Sequence, residues 1–96
     1  MSSKWAKKLS PKCNINAEVL ENLLAELSSS CYSDTETSMK IIEELTLSCG
    51  FDEGELRKLV REVSAKCPVD AKKLHQEILR AEGNKEIARK AIARTF

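Results

Sequence analysis

The sequence predicts an all-α fold made of four 18-residue helix–turn repeats, with a short capping helix at each end. Cysteine recurs every 18 residues, at Cys13, Cys31, Cys49 and Cys67. Asparagine or aspartate stands three residues after each cysteine. These residues are preferred helix N-caps, because their side-chain oxygens accept hydrogen bonds from the free N–H groups of the first turn. A helical pattern of apolar residues follows each cap, so the chain repeats one helix and one turn.

Each repeat carries the apolar stripe of an amphipathic helix. Counted from the cysteine, the stripe occupies offsets 7, 10, 11 and 14, which is the i, i+3, i+4, i+7 spacing of one helix face. In the fourth repeat, Glu77 and Ala81 replace larger apolar residues, so Leu74, Ile78 and Leu79 are expected to pack instead. The caps are Asn16, Asp34, Asp52 and Asp70, and the first three stripes are Leu20, Leu23, Leu24 and Leu27, then Ser38, Ile41, Ile42 and Leu45, then Leu56, Leu59, Val60 and Val63.

The first predicted element is a capping helix over residues 2–10. Trp5 and Leu9 stand where a preceding repeat would have its stripe. Pro11 is expected to end this helix, because proline disfavours a helical conformation in the residue before it. The lysines around Trp5 are also compatible with a contact site for nucleic acid or a membrane, but a terminal cap is the favoured interpretation.

The repeat helices are predicted over about 17–29, 35–47, 53–66 and 71–82. Leu47 widens the apolar surface of the second helix, which is expected to lie centrally. Gly50 is the expected C′ residue of that helix, Pro68 blocks continuation of the third, and Gly83 ends the fourth. Asn84 then caps a closing helix over about 85–94, whose inward residues are Ile87, Ala88, Ala91 and Ile92.

The residues before the caps support this register. In a hydrophobic staple, the residue before the cap packs against the fourth residue of the helix. The two positions change together along the chain: three repeats have an apolar pair and the second has serine at both places. The pairs are Ile15 with Leu20, Ser33 with Ser38, Phe51 with Leu56, and Val69 with Leu74.

Short connections between helices of this length predict antiparallel neighbours within one domain, residues 1–96. Two repeats make a helical hairpin of 36 residues. That period resembles the helix pairs of the tetratricopeptide class, at about 34 residues, although the Trp-Leu-Gly-Tyr and Ala-Phe-Pro signature is absent. The resemblance implies a tandem helical repeat, either a compact bundle or a short superhelix.

Composition and charge narrow the possible functions. The net charge of +1 excludes general electrostatic capture of nucleic acid. The sequence has no apolar run of about 18 residues and no apolar stretch near its start, so we expect neither a membrane span nor a secretory signal. The expected location is therefore intracellular, in the cytoplasm.

The cysteines are predicted to be free, buried thiols. Structural zinc sites use closely spaced cysteine pairs, whereas these cysteines are 18 residues apart, so no metal is expected. A disulfide needs Cα atoms within about 7 Å, and packed helices stand about 8–10 Å apart. A four-helix lipid-binding domain with two disulfides is the alternative. His75 follows Cys67 by eight residues, but nothing supplies an orienting group, so it is interpreted as structural.

The sequence contains no glycine-rich phosphate loop, nucleophile elbow or zinc-protease motif. It therefore predicts a non-catalytic protein without a cofactor. The leading hypothesis is a scaffold or protein–protein interaction module. The alternative is an RNA-binding helical repeat, in which side chains at fixed offsets contact bases.

Two sets of charged residues are the candidate sites. The acidic set falls within the first two repeats and would bind a basic or amphipathic segment of a partner protein. The basic set belongs to the nucleic-acid alternative. The acidic set is Glu18, Glu21, Glu26, Glu36, Glu43 and Glu44, and the basic set is Arg57, Lys58, Arg61, Lys85, Arg89 and Lys90.

Overall fold

The computed structural model describes residues 2–31, 34–67 and 70–94, and this part of the chain is all-helical, without strands. None of its helices is both long and apolar enough to cross a membrane. The helices are α1 (Ser2–Cys13), α2 (Ala17–Cys31), α3 (Thr35–Glu43), α4 (Glu53–Lys66), α5 (Ala71–Leu79) and α6 (Lys85–Arg94), and α3 continues directly into a π-helical turn (Glu44–Ser48).

The main helix contacts join α1 to α2, α2 to α3 and α4, α3 to α5, and α5 to α6. The π-helical turn also contacts α1 and α5. Residues near the start of α2 share a cleft with residues near the start of α4, and the ends of these two helices meet, so α2 and α4 run side by side in the same direction. The molecule measures 31 × 26 × 20 Å.

The predicted apolar stripes form the core. All four stripe positions are buried in α2, in α3 with its π-helical turn, and in α4. Ile15 and Phe51, which precede the caps, are buried as well, as a hydrophobic staple requires. The corresponding residues Ser33 and Val69, together with Pro68, lie outside the described residues. Leu74 and Ile78 of α5 are buried, and so is Ala81 in the turn that follows this helix.

The predicted caps are present. Asp52 accepts from the backbone N–H of Glu55, whose carboxylate accepts from the N–H of Asp52, completing a capping box. Asp34 and Asp70 each cap the first turn of the following helix. Asn84 accepts from the N–H of Ile87 at the start of α6. Local side-chain chemistry therefore sets where these helices begin.

Helix α1 is longer than predicted, because Pro11 lies inside it rather than at its end. Proline removes one hydrogen-bond donor, but in the last turn the helix keeps its other bonds. The N–H of Asn14 donates to the carbonyl of Ser10 at 2.8 Å, past the proline. Asn14 then takes a positive φ of 58°, which ends the helix in the left-handed conformation that asparagine tolerates.

The end of α3 also differs from the prediction. The π-helical turn adds one residue, and the N–H of Cys49 bonds to the carbonyl of Glu44. Gly50 closes the turn at φ 72°, as expected for a C′ glycine. Leu47 follows Glu43 by four residues and shares its helix face, so it is 47% exposed rather than part of the core.

Two further apolar residues expected to pack inward are exposed. Helix α5 ends at Leu79, earlier than predicted, and Leu79 is 44% exposed. Gly83 closes the following turn at φ 82°, where a Cβ would lie 2.7 Å from the carbonyl oxygen of Ser48. In α6, Ile87 is 44% exposed, because it lies about 200° around the helix from Lys85, which faces α4.

The prediction of four free thiols is wrong for one pair. Cys31 and Cys67 form a disulfide with their Cα atoms 4.9 Å apart, while Cys13 and Cys49 are free. The expected helix separation of about 8–10 Å applies along the axes of packed helices. Cys31 is the last residue of α2, and Cys67 directly follows α4. The two cysteines therefore lie at the ends of these helices, where the backbones can approach more closely than along the packed axes.

Candidate interaction surfaces

The structure divides the acidic set between two environments. Along α2, Glu18 and Glu26 are exposed and Glu21 is half-buried. On α3, Glu36 pairs with Lys40 at 3.4 Å. The other two members have neighbours from other helices: Glu43 accepts a hydrogen bond from Trp5 of α1, and Glu44 lies close to His75 of α5. Glu18 and Glu26 therefore face solvent on α2, and Glu36 faces solvent on α3 beside Lys40.

The basic set is also divided. Arg57 and Arg61 line a cleft with α2, whereas Lys58 lines a different depression on α4. Lys90 is exposed on α6. The remaining two members, Lys85 and Arg89, contact the start of α4.

Lys85 and Arg89 link α6 to the first turn of α4. Lys85 Nζ lies 2.9 Å from Glu55 Oε1, and Arg89 pairs with the other oxygen of the same carboxylate. Both cations also lie over the ring of Phe51, 5.5 and 5.4 Å from its centroid, which is cation–π geometry. The hydrogen bond from Lys85 lowers the pKa of Glu55, and the N–H of Asp52 adds to this. The side chains of Lys85 and Arg89 therefore make contacts within the folded protein.

The α2–α4 cleft is an opening of about 200 Å³ between the two parallel helices. Leu23 is buried at the cleft and Val19 is half-buried beside it. The side chains on its two walls differ in charge. The lining residues are Val19, Asn22, Leu23 and Glu26 from α2, and Arg57 and Arg61 from α4.

Opposite charges face each other across this cleft. Glu26 and the amide of Asn22 stand on the α2 wall, and two guanidinium groups one helical turn apart stand on the α4 wall. Arg57 Nη2 is also 3.5 Å from Glu53 Oε2, but both side chains are about half exposed, so this pair contributes little stability. The arrangement suits a segment that offers an apolar residue together with charges of both signs.

A second opening, the Trp5 cleft, lies between α1 and the end of α3. It has a volume of about 180 Å³. Trp5 Nε1 donates to Glu43 Oε1 at 2.6 Å, which fixes the indole ring at the edge of the cleft. The lining residues are Trp5, Lys8, Leu9 and Lys12 from α1, and Glu43 and Leu47 from α3 and its π-helical turn.

The sequence did not predict the Trp5 cleft, although it contained two signals. Trp5, beside a cluster of lysines, is predicted to form a terminal cap in preference to a nucleic-acid or membrane contact, and Leu47 is predicted to widen the apolar surface of the second helix. Glu43 and Leu47 are four residues apart, so they share one helix face outside the apolar stripe. An apolar residue on a polar face is a signal for an exposed contact site.

The free thiols and the single histidine are partly or fully covered. Burial raises the pKa of the Cys49 thiol, and the nearby carboxylate of Glu44 adds to the rise. Burial lowers the pKa of His75, while Glu44 opposes this effect. Cys67 is bonded to Cys31 and is therefore not a thiol that His75 could activate. Within the described ranges, no three potential metal ligands come together.

The chain matches no protein-family model, and neither the curated proteins nor the solved structures contain a match to it.

Proposed function

We propose that this chain is a non-catalytic protein–protein interaction module built from helix–turn repeats, with the α2–α4 cleft as its docking site. The observation that carries the proposal is the pair of oppositely charged walls in that cleft, with Glu26 facing Arg57 and Arg61. Such a cleft can orient an incoming segment as well as bind it, because reversing the segment would bring like charges together.

The repeat architecture is part of the proposal. Helices α2 and α4 run in the same direction, and their paired cysteines are separated by 36 residues, the length of two repeats. Helices α3 and α5, which follow them, also contact each other. This arrangement supports two stacked helical hairpins. Their first helices, α2 and α4, would together form one surface that a partner can contact.

The partner we propose is an amphipathic helical segment of another protein, with its basic edge along α2. Glu26 lines that side of the docking site, and Glu18 and Glu21 add negative charge on the same helix. An apolar side chain would contact Val19, and acidic residues on the other edge would approach Arg57. Glu36 pairs with Lys40 and Glu43 accepts a hydrogen bond from Trp5, so we place the partner along α2 rather than across α2 and α3.

Charge reversal tests this proposal. Partners are captured from lysate, identified by mass spectrometry, and measured by surface plasmon resonance. We expect the Glu21→Lys/Glu26→Lys variant to lower the association rate by about tenfold at low salt, with the difference masked at high salt. The control is Glu62→Lys/Glu86→Lys, which makes the same charge change at exposed positions outside the cleft. Equal losses in both variants would contradict docking at the cleft.

RNA binding is the second candidate, because Arg57 and Arg61 project from α4 one helical turn apart, near Lys58. Glu26 in the same cleft and the engagement of Lys85 and Arg89 with Glu55 weigh against it. A salt titration with a single-stranded RNA decides between the candidates, since phosphate contacts give a steep dependence on salt. RNA binding that Arg57→Glu/Arg61→Glu abolishes and Glu21→Lys/Glu26→Lys strengthens would favour this candidate.

We keep an intracellular, cytoplasmic location as part of the proposal. Cytosolic glutathione and thioredoxin keep most thiols reduced. Cys31 and Cys67 would therefore exist there mainly as two thiols that are close enough to form a disulfide. Acid quenching of cells followed by alkylation measures their redox state. A fully oxidised pair would argue for an oxidising compartment instead.

A further inference from the structure

We propose that the Trp5 cleft is a second docking site, and that it binds an acidic amphipathic helix of a partner protein. The site shares no residue with the α2–α4 cleft. The chain would then join two partners, one docked on α2 and α4 and the other on α1 and the π-helical turn.

The apolar part of the site is Leu47, with Trp5 beside it. Leu47 is a large apolar side chain left 47% exposed in a protein whose repeat stripes are buried. Leu9, beneath the cleft, is buried, so an apolar side chain entering the opening would meet an apolar surface on several sides. Burying such a side chain removes apolar surface from water and so stabilises a complex.

The hydrogen bond between Trp5 and Glu43 prepares the site. It holds the indole ring in one orientation, so little side-chain freedom is lost on binding. It also engages the single carboxylate of the cleft. The cleft then offers a partner two exposed cations, Lys8 and Lys12, against one carboxylate whose oxygen is already hydrogen-bonded.

The spacing of the two lysines favours an acidic helix. Lys8 and Lys12 are one helical turn apart on α1, so their ammonium groups line up along the cleft. Acidic residues one turn apart on a partner helix would match them, and an apolar residue between those acids would reach Leu47. This is the helix-in-groove mode of recognition, in which anchors follow the helical repeat.

The geometry favours a protein over a membrane or an RNA. Inserting Trp5 into a bilayer would break its hydrogen bond to Glu43, and an RNA backbone would leave the exposed Leu47 without an apolar contact. A concave opening of about 180 Å³ accepts a side chain rather than a flat lipid surface.

Selection from a display library of helical peptides, using the intact oxidised protein as the target, tests the proposal. We expect a class of selected peptides with Asp or Glu flanking Leu, Met or Phe. Trp5 is the only tryptophan in the chain, so its fluorescence reports directly on the cleft. Binding of a selected peptide should change that fluorescence in a saturable way.

Matched variants then locate the binding. We expect Leu47→Ser and Lys8→Glu/Lys12→Glu each to weaken the selected peptide by about tenfold or more, as for residues at the centre of an interface. The controls are Leu79→Ser, an equally exposed leucine elsewhere, and Lys4→Glu/Lys7→Glu on the same helix, and both should change binding less than about twofold. Circular dichroism confirms that each variant is folded.

Several results would overturn the proposal. The selection could yield no acidic peptide, the control variants could weaken binding as much as the cleft variants do, or the fluorescence of Trp5 could stay unchanged on binding. Vesicles containing phosphatidylserine and a single-stranded RNA are measured in the same assay. A response of Trp5 to either of them, without a response to the peptides, would assign the surface to a membrane or to RNA.

Discussion

At the scale of single residues, Ser38 stands out in the core. It occupies the stripe position that holds leucine in the other three repeats, at Leu20, Leu56 and Leu74. Its side chain is fully buried, and its hydroxyl has no hydrogen-bond partner among the described residues. A buried hydroxyl without a partner costs about 1–3 kcal/mol, so Ser38 weakens the core at the start of α3.

We therefore predict that Ser38→Ala raises the free energy of unfolding by about 1 kcal/mol, because it removes the unsatisfied hydroxyl and improves helix propensity. Urea denaturation followed by circular dichroism measures the change. Ser29→Ala is the control, since Ser29 is an exposed serine on α2. If the free energy of unfolding rises as much in the control as in Ser38→Ala, the effect comes from helix propensity alone.

The lowered pKa of His75 predicts a pH dependence of stability. In the unfolded chain this histidine gains a proton near pH 6.5, whereas in the folded protein burial delays protonation to lower pH. The unfolded state therefore binds more protons as the pH falls through that range, and stability decreases. The charged groups facing His75 are Glu44 of the π-helical turn and Lys40 of α3.

We expect His75→Gln to flatten the stability curve between about pH 7.5 and 5.5. Asp34 and Glu55, whose pKa values are lowered by hydrogen bonds from Thr37 and Lys85, lose their contribution only at more acidic pH. Urea midpoints measured across this pH range separate the two effects. An unchanged slope in the variant would mean that His75 is not the group that titrates.

The burial of single residues was predictable where it depends on local periodicity. The stripe from Leu20 to Leu27 could be identified because its spacing matches one face of a helix. The exposure of Leu47 could be inferred from the helix face that it shares with Glu43. The exposure of Ile87 could not be predicted, because it depends on the ion pairs of Lys85 and Arg89 with a distant helix.

At the scale of helices, the caps mark most starts correctly, but the pairing of helices required the structure. Short connections predicted that neighbours in sequence would pack together. The contact between α2 and α4 joins helices that are not consecutive, and it brings Cys31 to Cys67. Nothing in the 18-residue spacing distinguishes this pair from Cys13 and Cys49, so the disulfide could not be assigned from the sequence.

The Cys31–Cys67 bond gives a prediction at this scale. We expect unreduced protein in denaturant to show two reactive thiols, from Cys13 and Cys49. Replacing both bonded cysteines by alanine should lower the free energy of unfolding by about 2–4 kcal/mol, because the bond closes a long loop in the unfolded chain. Cys13→Ala is the control and should cost less. Four reactive thiols in unreduced protein would show that the bond does not form.

At the scale of the whole molecule, the radius of gyration distinguishes a compact bundle from an open superhelix. The Cα radius of gyration is 11.8 Å. A compact domain of this length has a value of about 12–13 Å by the usual scaling. Contacts of α2 with α4 and of α3 with α5 draw the helices together instead of leaving them in a row.

Small-angle X-ray scattering of the monomer should therefore give a radius of gyration of about 12–14 Å, allowing for side chains and hydration. The same measurement on the Cys31→Ala/Cys67→Ala variant controls for the role of the disulfide, and it should give a similar value while the variant stays folded. A radius well above this range would indicate an open array of helices.

The disulfide also changes how the chain would carry tension. When force is applied at the two ends of the oxidised protein, it passes from Cys31 to Cys67 through the sulfur atoms. The segment between them, which holds α3 and α4, forms a closed ring that tension cannot extend, and this shortens the stretched chain by roughly 120–130 Å. Only the two tails, with α1 and α2 on one side and α5 and α6 on the other, can be pulled out. In its oxidised form, a module that joins two partners under load would therefore keep the covalent link across its centre after its outer helices had unravelled.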